Sequence, residues 1–291
     1  MKRFSWFFVA YLIGVILFGA WVRISGSGAG CGNHWPSCQG VVVPVDPGSK
    51  TLIEFTHRVT SGLSGLLGLA LLVWCWRVKS PALRWAWGTF FFLMMEAFIG
   101  AVLVKKELVA NDASMSRAIV ISLHLVNTMA LMFCATLVAV RSGGHRPPLG
   151  RGRQLLWLVI GLLVLVNMSG AVTALGDTLF PTQPTMGTDL LAKIREDMSA
   201  GQHFLVRLRI IHPVIAAITG LVVFLIFNSL RTDWCRAGML IVLAQVCLGV
   251  LNISLAAPGW MQIAHLLTAQ VLWVVVVVVW TETSTVTGRA H

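Results

Sequence analysis

Charge is what this sequence has least of: Asp, Glu, Lys and Arg together fill 11% of 291 positions, against 57% for hydrophobic residues. A soluble domain carries about 25% charged residues, so the shortage excludes a fold surrounded by water and specifies a membrane protein. A small-residue cleavage site is also missing after the first apolar run, which follows Met1-Lys2-Arg3 and ends in Trp21-Val22-Arg23. The run is therefore read as a retained first span and not as a signal peptide. No Arg- and Ser-rich presequence stands ahead of it, which favours a bacterial plasma membrane over a mitochondrion. Acidic residues number 11 against 22 Lys and Arg, a net charge of +11. That excess does not describe a nucleic-acid surface, because the basic residues sit in short clusters between apolar runs, the pattern of a topological signal.

What is present is a series of apolar runs, each of about 20 residues, the length a helix needs to cross the hydrocarbon core. They fall at 5–23, 52–76, 84–104, 117–140, 154–175, 210–230, 234–256 and 261–281. Eight spans put both termini on one side. The N-terminus and the even-numbered loops carry Lys2, Arg3, Arg77, Lys79, Arg84, Arg141, Arg146, Arg151, Arg153, Arg231 and Arg236. Positive charge packed into short loops places both termini in the cytoplasm and the segments 24–51, 105–116 and 176–209 outside.

The chain also repeats itself. Gly19-Ala20 recurs as Gly170-Ala171, His57 as His212, Glu96-Ala-Phe-Ile-Gly100 as Gln245-Val-Cys-Leu-Gly249, and His124-Leu-Val-Asn127 as His265-Leu-Leu-Thr268. Each half holds four spans, an even number, so both halves keep the same orientation and are related by an axis along the membrane normal. The expected fold is all-α: a polytopic membrane protein of two parallel-repeat four-helix bundles, residues 1–141 and 153–282.

Of eight histidines, His34, His145, His203 and His291 fall in loops or the tail, and His57, His124, His212 and His265 fall inside spans. A single intramembrane histidine is explained as well by a hydrogen bond between helices. Four of them, paired across a repeat and each within about two helical turns of the outer end of its span, point to a site in the bundle interior. A zinc or copper site needs three or four ligands at one point, whereas each half supplies two histidines and no adjacent thiolate pair. Heme brings four nitrogens of its own and takes imidazole as an axial ligand. Two heme sites follow, with the iron held by His57 and His124 in the first half and by His212 and His265 in the second, on facing helices of each bundle.

Glu54 precedes His57 by one helical turn and shares its face. Its counterpart in the second half is Arg209. The repeat thus breaks where chemistry would differ, which makes Glu54 the candidate catalytic carboxylate; the competing reading is an ion pair with Arg58. Glu96 has Gln245 as its counterpart, and an interhelical hydrogen bond suits it as well as a catalytic role does. Cys31 and Cys38 alone of six cysteines lie in an outer segment. An oxidising compartment permits a bridge, and Gly32 and Pro36 between them leave room for the chain to turn, so a Cys31–Cys38 disulfide is feasible, either as a staple over the first-half site or as a redox pair.

The segment Arg23-Ile-Ser-Gly-Ser-Gly-Ala-Gly-Cys31-Gly-Asn-His34-Trp35-Pro36-Ser-Cys38-Gln-Gly40, followed by Ile53-Glu54-Phe-Thr-His57-Arg58, closely resembles the heme A synthase family, and the resemblance extends over all eight spans and all four histidines. It implies heme B as prosthetic group between His212 and His265, and substrate heme O between His57 and His124. The implied reaction oxidises a porphyrin methyl group to a formyl group, with Glu54 at the position of the family's important carboxylate. The implied partners are the enzyme that farnesylates heme and a terminal oxidase or its assembly factors. Two departures stand out: segment 176–209 has no cysteines, where some members carry a second pair, and His34 and Glu96 replace an acidic or amide residue and a glutamine.

Two other functions compete. A di-heme cytochrome passing electrons from quinol would use the same histidines but leaves Glu54 in only one half unexplained. A heme or small-molecule transporter suits parallel repeats, yet the spans have few of the Pro and Gly interruptions that build broken-helix binding sites.

Overall fold

A computed structural model describes residues 1–142, 152–182, 190–230 and 232–282. Among these the chain is helical without strands, and it divides into two compact units, Met1–Val138 and Ala139–His291. Eight helical segments are long and apolar enough to cross a membrane. His145 and His291, with Arg146, Arg151 and Arg231 of the basic clusters, lie outside the described residues, as does the side chain of Arg153.

The first unit contains α1 (Lys2–Ile24), α2 (Ser49–Arg77), α3 (Leu83–Lys105) and most of α4 (Met115–Arg141). These helices run a few residues past the apolar windows at several ends, because backbone hydrogen bonding continues after the side chains turn polar. Arg23, Arg77, Lys105 and Arg141 occupy their last turns, where a cation meets the negative end of the helix dipole. Close approach is set by small residues: a Cβ on Gly68 of α2 would collide with Leu93 of α3 and lie 3.5 Å from Phe8 of α1. Phe8, Leu12, Leu71 and Leu72 are buried around that junction.

The second unit contains α5 (Gly152–Leu179), α6 (Leu190–Asp197), α7 (Phe204–Leu208), α8 (Ile211–Leu230), α9 (Asp233–Ser254) and α10 (Gly259–Glu282). The segment 176–209 is therefore not the continuous loop expected: α5 extends to Leu179 and two short helices follow. The apolar run 210–230 also gains a preceding turn, α7, so that the sixth span reaches from Phe204 to Leu230. The break between α7 and α8 falls at Arg209 and Ile210, just before Pro213 in the first turn of α8, which lacks an N–H and whose ring crowds the carbonyl of Arg209 four residues earlier. His203 starts α7 as an N-cap, accepting a 3.3 Å bond from Leu205 N. At α9 the cap is Thr232, which accepts from Cys235 N at 3.2 Å. The expected loops 24–51 and 105–116 are trimmed by the earlier starts of α2 at Ser49 and α4 at Met115.

Large apolar side chains remain exposed along the spans, Leu66 and Phe91 in the first unit and Leu240 and Leu221 in the second among them. In water such surfaces would drive association. Lipid is their natural solvent, and the fold is that of a multi-pass membrane protein.

Candidate heme-binding sites

In the second unit α8 carries His212 and α10 carries His265. Their ring centroids lie 6.4 Å apart with the ring planes perpendicular. Two imidazoles on opposite sides of one metal ion, with bonds of about 2 Å and ring centres ~1 Å beyond each nitrogen, need a separation of about 6 Å. Each ring also has one nitrogen engaged: His212 Nδ1 lies 3.1 Å from Ser169 Oγ on α5, and His265 Nε2 lies 3.2 Å from Gln245 Nε2 on α9. Ser169 Oγ, which donates to Val166 O at 2.9 Å, is free to accept the His212 N–H and so orient that ring through one nitrogen, whereas the Gln245 amide N–H donates to His265 Nε2. His265 Nδ1 is buried and finds no hydrogen-bond partner among the described residues.

The rings sit against glycine. A Cβ on Gly170 of α5 would stand 3.0 Å from His212 Cε1, and one on Gly249 of α9 would stand 3.3 Å from His265 Cε1. The first unit repeats this: a Cβ on Gly19 of α1 would stand 3.1 Å from His57 Cε1. Sequence comparison of the halves singles out Gly19 and Gly170 as a matched pair but not as a histidine cradle. The signal was available, since a glycine repeated in register with a histidine marks close backbone approach.

His57 on α2 also packs its ring edge-on to Phe18, centroids 5.6 Å apart, and its Nδ1 is buried with no hydrogen-bond partner among the described residues. His124 on α4 has a charged neighbour: its Nδ1 lies 2.9 Å from Glu96 Oε2 on α3. The other carboxylate oxygen, Oε1, accepts from Asn127 Nδ2 at 2.7 Å, and Thr128 Oγ1 lies 2.9 Å from both this oxygen and His124 O. The donor set, four imidazoles of which His212 and His265 face each other and three lie against glycine, fits heme. Among the described residues no three His, Cys, Asp or Glu side chains converge as a metal-ion site.

Glu54 is buried on α2 and its contacts run to the loop above it. Its Oε2 accepts from Cys31 N at 2.8 Å, and its Oε1 pairs with Arg58, one turn along, whose Nε donates at 3.1 Å. Arg58 Nη1 in turn donates to the carbonyls of His34 at 2.6 Å and Ser37 at 2.7 Å. The ion pair with Arg58, weighed against a catalytic role on sequence grounds, is thus formed. The loop is closed by the Cys31–Cys38 disulfide, Cα atoms 4.5 Å apart. Arg209, the counterpart of Glu54, is likewise buried and tied to the segment after the preceding helix: its Nη2 donates to Phe180 O at 3.0 Å, and its Nη1 lies 3.7 Å from Asp177. The two positions thus hold opposite charges on opposite backbone groups, a Cys31 N–H for Glu54 and a Phe180 C=O for Arg209. His203 stacks on Phe180 with centroids 4.8 Å apart, in keeping with its role as a helix cap.

Comparison with known proteins adds an independent line. The model of a family described as cytochrome oxidase assembly protein matches residues 2–277. A Thermus thermophilus protein named protoheme IX farnesyltransferase is 43% identical over 294 residues, which cover 95% of this chain and 47% of that protein. The chain thus spans about half the length of that curated relative. A heme A synthase of Exiguobacterium sibiricum is 28% identical over 216 residues, 70% of this chain and 71% of that protein. A heme A synthase of Symbiobacterium thermophilum is 38% identical over 137 residues, 46% of this chain and 42% of that protein.

Proposed function

The chain belongs to the cytochrome oxidase assembly protein family, and from that membership we propose that it oxidises the methyl group of heme O to the formyl group of heme A. The observation that carries the reading is the His212–His265 pair, whose 6.4 Å separation would let both hold one iron, set beside a first unit that offers the same two histidine positions.

The roles divide between the halves. His212 and His265 hold heme B, which supplies electron transfer when bound. His57 and His124 hold the substrate heme O. Each half is a four-helix bundle in this reading, residues 1–141 for the substrate and 153–282 for heme B. Glu54, beside the first-half site, accepts or positions a proton as the methyl group is oxidised in steps. Its Oε1 and Oε2 are engaged by Arg58 and Cys31 N, but a carboxylate has about four lone-pair sites, so it retains capacity for one more partner. Glycine beneath the histidines keeps the imidazoles fixed against the helix backbone, and the surrounding apolar helices exclude water. The disulfide and the Arg58 bonds close the loop over this end of the bundle.

Heme O is poorly soluble, so an enzyme that farnesylates heme and a terminal oxidase are natural partners for its delivery and onward transfer; the farnesyltransferase name of the Thermus relative supports the first. Both termini lie in the cytoplasm of a bacterial plasma membrane. The test is extraction and chromatography of the hemes after co-expression with a heme O source. Wild type is expected to yield heme A and heme B. Glu54→Ala is expected to keep heme B and accumulate heme O or partly oxidised heme, and full activity in that variant would remove Glu54 from the chemistry. The engagement of Glu54 by Arg58 and the loop favours a second reading, a di-heme electron-transfer cytochrome in which Glu54 is structural; heme B alone in both proteins would establish it.

A further inference from the structure

The two proposed iron sites differ at the ligand on the last long helix of each unit, His124 on α4 and His265 on α10. His124 Nδ1 faces a carboxylate, Glu96 Oε2, at 2.9 Å. His265 faces a neutral amide, with Gln245 Nε2 3.2 Å from His265 Nε2. The surroundings follow the same division. In the first unit the Asn127 amide has two protons; one goes to Phe92 O at 2.9 Å and the other to Glu96 Oε1 at 2.7 Å, where Thr128 Oγ1 also lies at 2.9 Å. The carboxylate is thereby pinned through Oε1, with Oε2 left 2.9 Å from the imidazole. In the second unit the place of Asn127 is taken by Thr268, which donates instead to Ala264 O at 3.0 Å, and that of Thr128 by Ala269. Gln245 Oε1 is buried with no hydrogen-bond partner among the described residues. The network of Glu96, Asn127 and Thr128 thus exists in one half only.

A carboxylate that accepts the outer N–H of a ligand histidine raises the basicity of the ring and fixes its tautomer. A more basic axial ligand favours the ferric over the ferrous state, one of the protein's levers on heme potential. We propose that Glu96 is a positioning residue that acts through His124 to hold the first-half iron at a lower reduction potential than the second-half iron, where Gln245 provides no such anion. Electrons then rest on the second-half heme in preference to the first, and the first-half site is kept oxidised between turnovers. This inference rests on the proposed pairing of hemes with His57–His124 and His212–His265.

The test is a spectroscopic redox titration of the purified, heme-loaded protein with low-temperature EPR of its ferric low-spin signals. Wild type is expected to show two transitions. Glu96→Gln is expected to raise the lower one so that the ferric:ferrous ratio at fixed potential falls at least tenfold, about 59 mV for a one-electron couple, and to leave the upper one in place. Glu96→Asp restores part of the shift, which a merely space-filling role would not. The reciprocal Gln245→Glu is expected to lower the upper transition, and it carries the test if Glu96→Gln does not fold. Two histidine-ligated hemes whose potentials are unmoved by these changes, or moved together, overturn the inference alone. A protein with no histidine-ligated heme overturns the proposed function and this inference with it.

Discussion

Gly19 and Gly170 each face an imidazole so closely that an added methyl group has no room: the hypothetical Cβ atoms stand 3.1 Å from His57 Cε1 and 3.0 Å from His212 Cε1. An alanine would force the ring back by a few tenths of an ångström, and a β-branched side chain by more. Gly19→Val is therefore expected to empty the first-half site and leave heme B bound, and Gly170→Val to do the reverse, each measured as heme bound per protein. Equal loss of both hemes from either variant would mean that the glycines serve general packing. At this scale the sequence identified which residues are unusual more readily than what they touch. Four histidines within apolar runs are conspicuous because water is absent there, and a polar ring must find a partner. Glu54 was ambiguous because its partner, Cys31 N, belongs to a loop that returns over the helix, and a contact of that kind leaves no periodicity to read. Glu96 was ambiguous for a related reason: the rotation of α3 against α4, not the composition of either, brings its carboxylate to His124.

At the scale of the helix, close contacts between neighbours are made by glycine facing a large ring or side chain. Gly238 on α9 accommodates Phe227 of α8, a residue with no exposed surface. A Cβ there collides with the ring, and overpacking of this sort costs about 1–3 kcal/mol. Gly238→Ala is expected to lower the melting temperature in detergent, and Phe227→Leu in the same protein to recover most of the loss; a Gly238→Ala protein as stable as wild type would show that the two helices can separate freely. The apolar windows located every span because a helix is the one local structure that satisfies its own backbone in lipid. They misplaced the ends, since helices such as α2 begin in polar residues that are invisible to hydropathy. They also missed α6 and α7, which are too short to register as spans, and the division ahead of Pro213 that separates α7 from α8.

For the whole molecule, the clustering of Lys and Arg predicts the orientation. If both termini are cytoplasmic, a fluorescent protein that folds only in the cytoplasm is expected to light up when fused at either end. An alkaline phosphatase, which needs the oxidising compartment, is expected to be active only when inserted near Val42 to Val45, an exposed stretch between α1 and α2. The opposite pattern would invert the topology and put the Cys31–Cys38 bridge in a reducing compartment, where disulfides are rare.

The sequence by itself determined the membrane class, the number of spans, the internal repeat and the four histidines, because each rests on local composition or on period, which a linear chain displays directly. The tertiary structure alone decided that Arg58 binds Glu54 and the loop together, that Arg209 donates to Phe180 O, that glycines lie against three of the histidine rings, and that Glu96 reaches His124 while Gln245 leaves His265 beside a neutral amide. Those facts depend on how helices are rotated about their axes and how loops fold back over them. Such long-range geometry is set by the packing of many side chains at once, and no window of the sequence contains it.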